Sequence, residues 1–111
     1  MANLPFSKVR RIGTSVYLAG EIGFNADGSL PEGIEAQTRN CLDRIKATLT
    51  TEGLDMSHVV SCLVHLTDKA DFAAFNATYA PYFSDPLPVR TTVESGLMAP
   101  ARLEITVVAE A

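Results

Sequence analysis

Toward its C-terminal end the chain alternates apolar and polar side chains with a period of two, along residues 87–96 and again along 103–108. That alternation and its β-branched content predict two strands, and Gly96 and Pro100 between them predict a turn that pairs the two arms. In the first arm Arg90, Thr92 and Glu94 project to one face; in the second, Leu103, Ile105 and Val107 share a face opposite Glu104, Thr106 and Val108. Upstream, residues 6–12 and 15–20 read as a strand hairpin turning at Gly13 and Thr14, and 25–29 read as a loop. From Ile34 the period lengthens. Ile34, Thr38, Cys41, Leu42, Ile45 and Leu49 fall on one helical face, and Gly53 closes the helix. Residues 58–66 alternate again, with Val60, Cys62, Val64 and Leu66 on one side and Val59, Ser61, Leu63 and His65 on the other, which predicts a strand buried on both faces. Asp68 and Asp71 are placed to cap a second helix through Phe72, Phe75 and Tyr79 to about residue 83, where Pro81 and Pro86 end it.

The predicted order is therefore β-β-α-β-α-β-β, an α+β fold in which a single sheet carries two helices on one face. The other sheet face also carries apolar groups, and a chain this short has nothing left to cover them, so self-association is expected.

Composition narrows the class. The 111 residues, 47% of them hydrophobic, fit a single domain spanning 1–111 with one core. A net charge of −4 opposes an electrostatic grip on nucleic acid, and the small cluster Lys8, Arg10 and Arg11 reads as a solvated strand edge. The apolar runs are short and interrupted by charge, which predicts no membrane partner and a cytoplasmic location. Cys41 and Cys62 are too few for a disulfide framework and fall at buried positions, and neither they nor His58 and His65 show metal-ligand spacing, so no metal is expected. His65 reads as a hydrogen-bonded strand histidine and Tyr17 as packing. Arg90 and Glu104 stand out, because charge inside a sheet is costly unless it meets an opposite charge, a ligand or water. From the residues alone, an ion pair of Arg90 with Glu94 or Glu104 and a ligand site are both open.

Pro88-Val89-Arg90-Thr91-Thr92-Val93-Glu94, followed by Leu103-Glu104-Ile105-Thr106-Val107-Val108-Ala109, closely resembles the C-terminal signature of the RidA (YjgF/YER057c/UK114) family. Leu4-Pro5-Phe6-Ser7, residues 16–22 and residues 71–79 resemble it too, so the likeness runs through nearly the whole chain. The resemblance implies a chorismate-mutase-like fold and a homotrimer whose sheets pack into a central barrel with ligand clefts between subunits. It implies cofactor-free hydrolysis of reactive enamines and imines, such as 2-aminoacrylate, to 2-keto acids and ammonia. On this likeness Arg90 grips the substrate carboxylate, a bidentate geometry that guanidinium suits. Glu104 orients or deprotonates the attacking water, the Gly20 backbone lines the cleft, and Asn76 is a cleft residue. Three positions depart from the common pattern: Thr92 replaces a cysteine, Phe6 a tyrosine and Ala19 a serine. The expected substrate pocket is therefore less polar, with an apolar wall at Phe6 that favours larger side chains. The resemblance also admits other classes: a small-carboxylate binding protein, or a translation inhibitor or endoribonuclease acting on RNA.

Overall fold

The strand predicted to pair with its C-terminal neighbour does not do so. The computed structural model of the chain describes residues 4–111 and places β1 (Val9–Ile12), β2 (Ser15–Leu18), β3 (Val59–Leu66), β4 (Val89–Glu94) and β5 (Leu103–Glu110) in one sheet of order β1-β2-β5-β3-β4. β5 lies between β2 and β3, antiparallel to both, and β4 runs parallel to β3 at the sheet edge. Composition explains the exchange. On β5, Leu103, Ile105, Val107 and Ala109 are all fully buried, so the strand belongs at the centre. β4 presents Arg90, Thr92 and Glu94 on the equivalent face, which suits an edge. The parallel β3–β4 pair needs a crossover, and α2 (Phe72–Tyr79) supplies it.

Helix α1 (Gly33–Thr51) forms where its period predicts and buries Ile34, Thr38, Cys41, Leu42, Ile45 and Leu49. Gly53 ends it at φ 75°, a conformation that glycine adopts without steric cost. Gln37 joins the buried face, donating through Nε2 to Pro31 O at 3.0 Å and accepting from the Arg102 N–H at 2.8 Å. Both helices lie on one face of the sheet over a core that includes Phe75, Val16, Val64 and Ile105. Asp68 caps a short 3-10 turn, Lys69–Asp71, by accepting from the Ala70 N–H at 2.9 Å. Asp71 does not cap α2; its carboxylate pairs with Arg102 Nη1 at 2.8 Å. α2 stops at Tyr79, and Pro81 lies in the 3-10 turn Ala80–Tyr82 that follows, short of the predicted end.

β3 is not buried on both faces. Its register against β5 shifts between Val59 and Ser61, so Val59 joins the core and Val60 is left 43% exposed. Such a bulge reverses the alternation at one point, which no periodicity reveals. The helix-free face of the sheet carries Ile12, Tyr17, Leu63, Val89 and Val93, each between 38% and 71% exposed. His65 behaves as expected, sharing a 3.0 Å hydrogen bond with Ser95 Oγ. Cys41 and Cys62 are buried and unpaired, and burial raises both thiols above their ordinary pKa. Among the described residues no group of three or more His, Cys, Asp or Glu converges as a metal site, and no helix is long and apolar enough to cross a membrane.

Candidate functional site

The predicted site residues fall into two clefts. The first is built where β2 leaves the ladder. Tyr17 opposes Val108, yet Glu21 opposes Ile105, so four residues of one strand span three of the other. The extra residue makes a bulge through Ala19 and Gly20, and it explains why β2 stops at Leu18 instead of reaching Gly20. It also explains why β1 begins at Val9 and not at Phe6: the Ala19 N–H still reaches Lys8 O at 2.9 Å, and beyond it β2 no longer offers a straight partner.

Past the bulge the chain is tied down again. The Glu21 N–H donates to Ile105 O at 2.8 Å and the Ile105 N–H to Glu21 O at 3.0 Å. Arg44 Nε of α1 donates to the Glu21 carboxylate at 3.0 Å, and the Cys41 thiol donates to Glu21 O at 3.1 Å. These bonds press Gly20 against the neighbouring Glu104. A Cβ on residue 20 would stand 2.6 Å from Glu104 Oε2 and 2.9 Å from its Cδ. Glycine is thus required for space, so that the half-buried carboxylate can lie along the bulge. Phe6, Ser7, Arg10, Tyr17, Ala19 and Gly20 line the open cleft of about 470 Å³ around Glu104. Tyr17, expected to pack, is 46% exposed in its wall.

The second cleft, about 390 Å³, lies between α2 and the edge strand. Arg90 projects toward α2, level with Cys62 of β3. Its Nη2 donates to Asn76 Oδ1 at 2.7 Å, and its Cζ stands 4.9, 5.4 and 5.8 Å from the ring centres of Tyr79, Phe75 and Phe72. Aromatic faces attract a guanidinium through their quadrupole and hold it without neutralising it. Among the described residues Arg90 takes part in no ion pair; neither Glu94 nor Glu104 meets it. Asn76 occupies one donor of the fork and leaves the others open to a planar anion. Ala80, Phe83, Leu87 and Pro88 give the cleft an apolar wall.

Tyr79 was legible only as a helix residue. Its phenol oxygen is buried without a hydrogen-bond partner among the described residues, and burial, reinforced by the Cys62 thiol, pushes its pKa up. It thus stays protonated, a donor beside Arg90. The spacing of Asn76 and Tyr79, three apart on α2, places both over one face and was the available signal. Thr92 lies two residues from Arg90 on the same face of β4, half-buried, and does not line this cleft.

The two clefts open on opposite faces of the sheet. Arg90 sits level with Cys62 on the helix-covered face, whereas Glu104 opposes His65 on the helix-free face, with β3 between them. Within one protomer Phe6, Ala19, Gly20 and Glu104 are brought together, Asn76 and Arg90 are brought together, and the two sets are kept apart.

Known proteins share this fold. The family model described as Endoribonuclease L-PSP matches residues 1–111. Protein DfrA of Myxococcus xanthus is 36% identical over 110 residues, covering 95% of this chain and 84% of its own length. A RutC family protein of Saccharolobus solfataricus is 37% identical over 109 residues, covering 96% of this chain and 86% of its own. The crystal structure of RidA from an Antarctic Psychrobacter superposes with a TM-score of 0.94 at 31% identity, over 100% of this chain and 92% of that one. Sequence and fold agree from end to end, and the chain belongs to the Endoribonuclease L-PSP family, the RidA/YjgF family.

Proposed function

We propose that this protein hydrolyses reactive 2-imino and 2-enamino acids to 2-keto acids and ammonia, in clefts completed between neighbouring copies of the chain. The observation that carries this reading is the half-buried Arg90 guanidinium, which lies over three aromatic rings beside Asn76 and an unpartnered Tyr79 phenol and has no carboxylate of its own. A small carboxylate fits it: the free edge of the fork takes the two oxygens, and the Tyr79 hydroxyl donates to one of them. The apolar wall of Phe83, Leu87 and Pro88 accommodates a side chain.

The Glu104 cleft of an adjoining copy supplies the water. Glu104 takes a proton from that water as its oxygen bonds to the iminium carbon, giving a tetrahedral carbinolamine. Proton transfer to nitrogen then lets the carbon–nitrogen bond break as the carbonyl forms. The sum is one imine and one water to one keto acid and one ammonia, with no electrons exchanged and no cofactor. An RNA substrate is not the favoured reading, because a chain of net charge −4 offers little electrostatic grip on phosphates.

The test is release of pyruvate or ammonia from 2-aminoacrylate generated in situ. Wild type is expected to accelerate it above spontaneous decay; no acceleration with 2-aminoacrylate and several imino acids overturns the reading. Gly20→Ala probes the water side. The added methyl displaces the Glu104 carboxylate rather than backbone, so kcat is expected to fall by up to about a hundredfold while KM and the thermal midpoint change little. A methyl that costs stability without lowering kcat would show that the carboxylate's place along the bulge is structural.

A further inference from the structure

The cluster Lys8, Arg10 and Arg11 does not act as one charged edge. Alternation along β1 sends Arg10 and Arg11 to opposite faces. Arg11 turns to the end of α1, where its Nη1 donates to Glu52 O at 3.2 Å and to Glu52 Oε1 at 3.3 Å. Lys8 lies beside Arg44, Thr48 and Thr51 of α1. Arg10 opposes Tyr17 across the hairpin and lines the Glu104 cleft with it, together with Phe6 and Ser7. Among the described residues Arg10 has no ion-pair partner, and Glu104 in the same cleft does not serve as one. The clefts therefore hold one guanidinium each, Arg90 in the cleft under α2 and Arg10 in the cleft that Glu104 also lines. An imino acid has only one carboxylate at its reacting end. A second guanidinium in the cleft of the water-activating carboxylate matches a second anionic group elsewhere on the substrate.

We infer that Arg10 binds that second group, so that the preferred substrates are imino or enamino acids with an acidic side chain. The inference rests on the hydrolytic reading above and names its substrate class. Phe6 and Tyr17 supply the apolar walls past which the intervening methylenes run, and Ser7 adds a hydroxyl near the anion. Because Arg10 is exposed, its attraction is screened by salt.

The experiment compares 2-iminoglutarate with 2-iminopentanoate, matched in chain length and generated in situ from glutamate and norvaline by amino-acid oxidases. Wild type is expected to favour the dicarboxylate in kcat/KM. Arg10→Gln is expected to lower the ratio of dicarboxylate to monocarboxylate by about fivefold to tenfold, chiefly through KM, while Arg10→Lys keeps most of it and added salt erodes it in wild type. The ratio is internal to each preparation, so partial unfolding of a variant does not imitate the effect. A ratio unchanged in Arg10→Gln, or a wild type that turns over only the monocarboxylate, overturns the inference and leaves the hydrolytic reading standing. Acceleration of neither imine overturns both.

Discussion

On the proposed mechanism, Glu104→Gln and Arg90→Ala are each expected to impair imine hydrolysis severely at substrate concentrations below KM, and mixing the two variant chains is expected to restore part of it. Glutamine keeps the shape of Glu104 and its place beside Gly20 but cannot accept the proton of the attacking water. Loss of a positioned base costs about 100-fold to 10,000-fold in kcat. Arg90→Ala removes the cation proposed to fix the substrate carboxylate and leaves Asn76 and Tyr79 without it. Its cost falls mainly on KM, by about tenfold to a hundredfold for a charge-assisted pair. The opposite faces of the two side chains set up the decisive test. If each working site takes Arg90 from one copy and Glu104 from the next, a chain lacking only one of them still offers the other to a neighbour. In a three-membered ring formed from equal amounts of both variants, about a quarter of all sites then combine two intact residues. Co-refolded variants should recover about that fraction of wild-type activity, read as pyruvate release. Recovery that stays at background, in mixtures shown to contain both chains in one assembly, would place both residues' roles within a single protomer.

Much of this architecture is legible in the order of residues. The stripe Ile34, Thr38, Cys41, Leu42, Ile45 and Leu49 and the alternation of Leu103, Ile105, Val107 and Ala109 are strong because each buries a complete face, and burial leaves the period of the element in the chain. Strand partners are another matter. Residues 95–102 contain turn-forming glycine and proline, but a local turn does not say whether a third strand lies between its arms, and here β3 does. Neither does periodicity mark the bulges at Val60 and at Ala19–Gly20, which are one-residue slips with no composition of their own. The cost of placing charge inside a sheet already marked Arg90 and Glu104 as candidates, and the family likeness added the rest of the candidate site. That likeness gave Arg90 and Glu104 roles and added Gly20 and Asn76, but the residues beside them do not reveal that Arg90 and Glu104 face opposite sides of a sheet. Tyr79 was hidden because an aromatic on a helix reads as packing until its orphaned hydroxyl is seen. Arg10 reads as a solvated strand-edge residue and is exposed, but the cleft it lines does not show in the order of residues.

Gly23→Ala should be the most damaging single methyl in the chain. A Cβ at this position would fall 2.2 Å from Gln37 O and 3.0 Å from both Gln37 C and Cys41 N, all backbone of α1. No side-chain rotation relieves that clash, in contrast to Gly20, where the obstacle is the far end of a glutamate. Either the segment carrying Gly23 or the helix has to move. The helix cannot yield cheaply, since it buries Leu42, Ile45 and Leu49 against the sheet. The segment is held by Asn40, whose Nδ2 donates to Gly23 O at 3.2 Å, and by the Cys41 and Arg44 bonds to Glu21. Overpacking of this kind costs about 2 to 3 kcal/mol, which for a chain of this size lowers the thermal midpoint by about 10 °C. Gly96→Ala is the control, because a Cβ there meets nothing within 4 Å. The displacement of Gly23 should also reach the chemistry, since Glu21 and Gly20 precede it and hold the bulge on which Glu104 rests. Activity of Gly23→Ala measured well below its midpoint should therefore be reduced as well. A midpoint within about 2 °C of wild type would mean that α1 and the loop separate freely, and that the contact at Gly23 is not what seats the bulge.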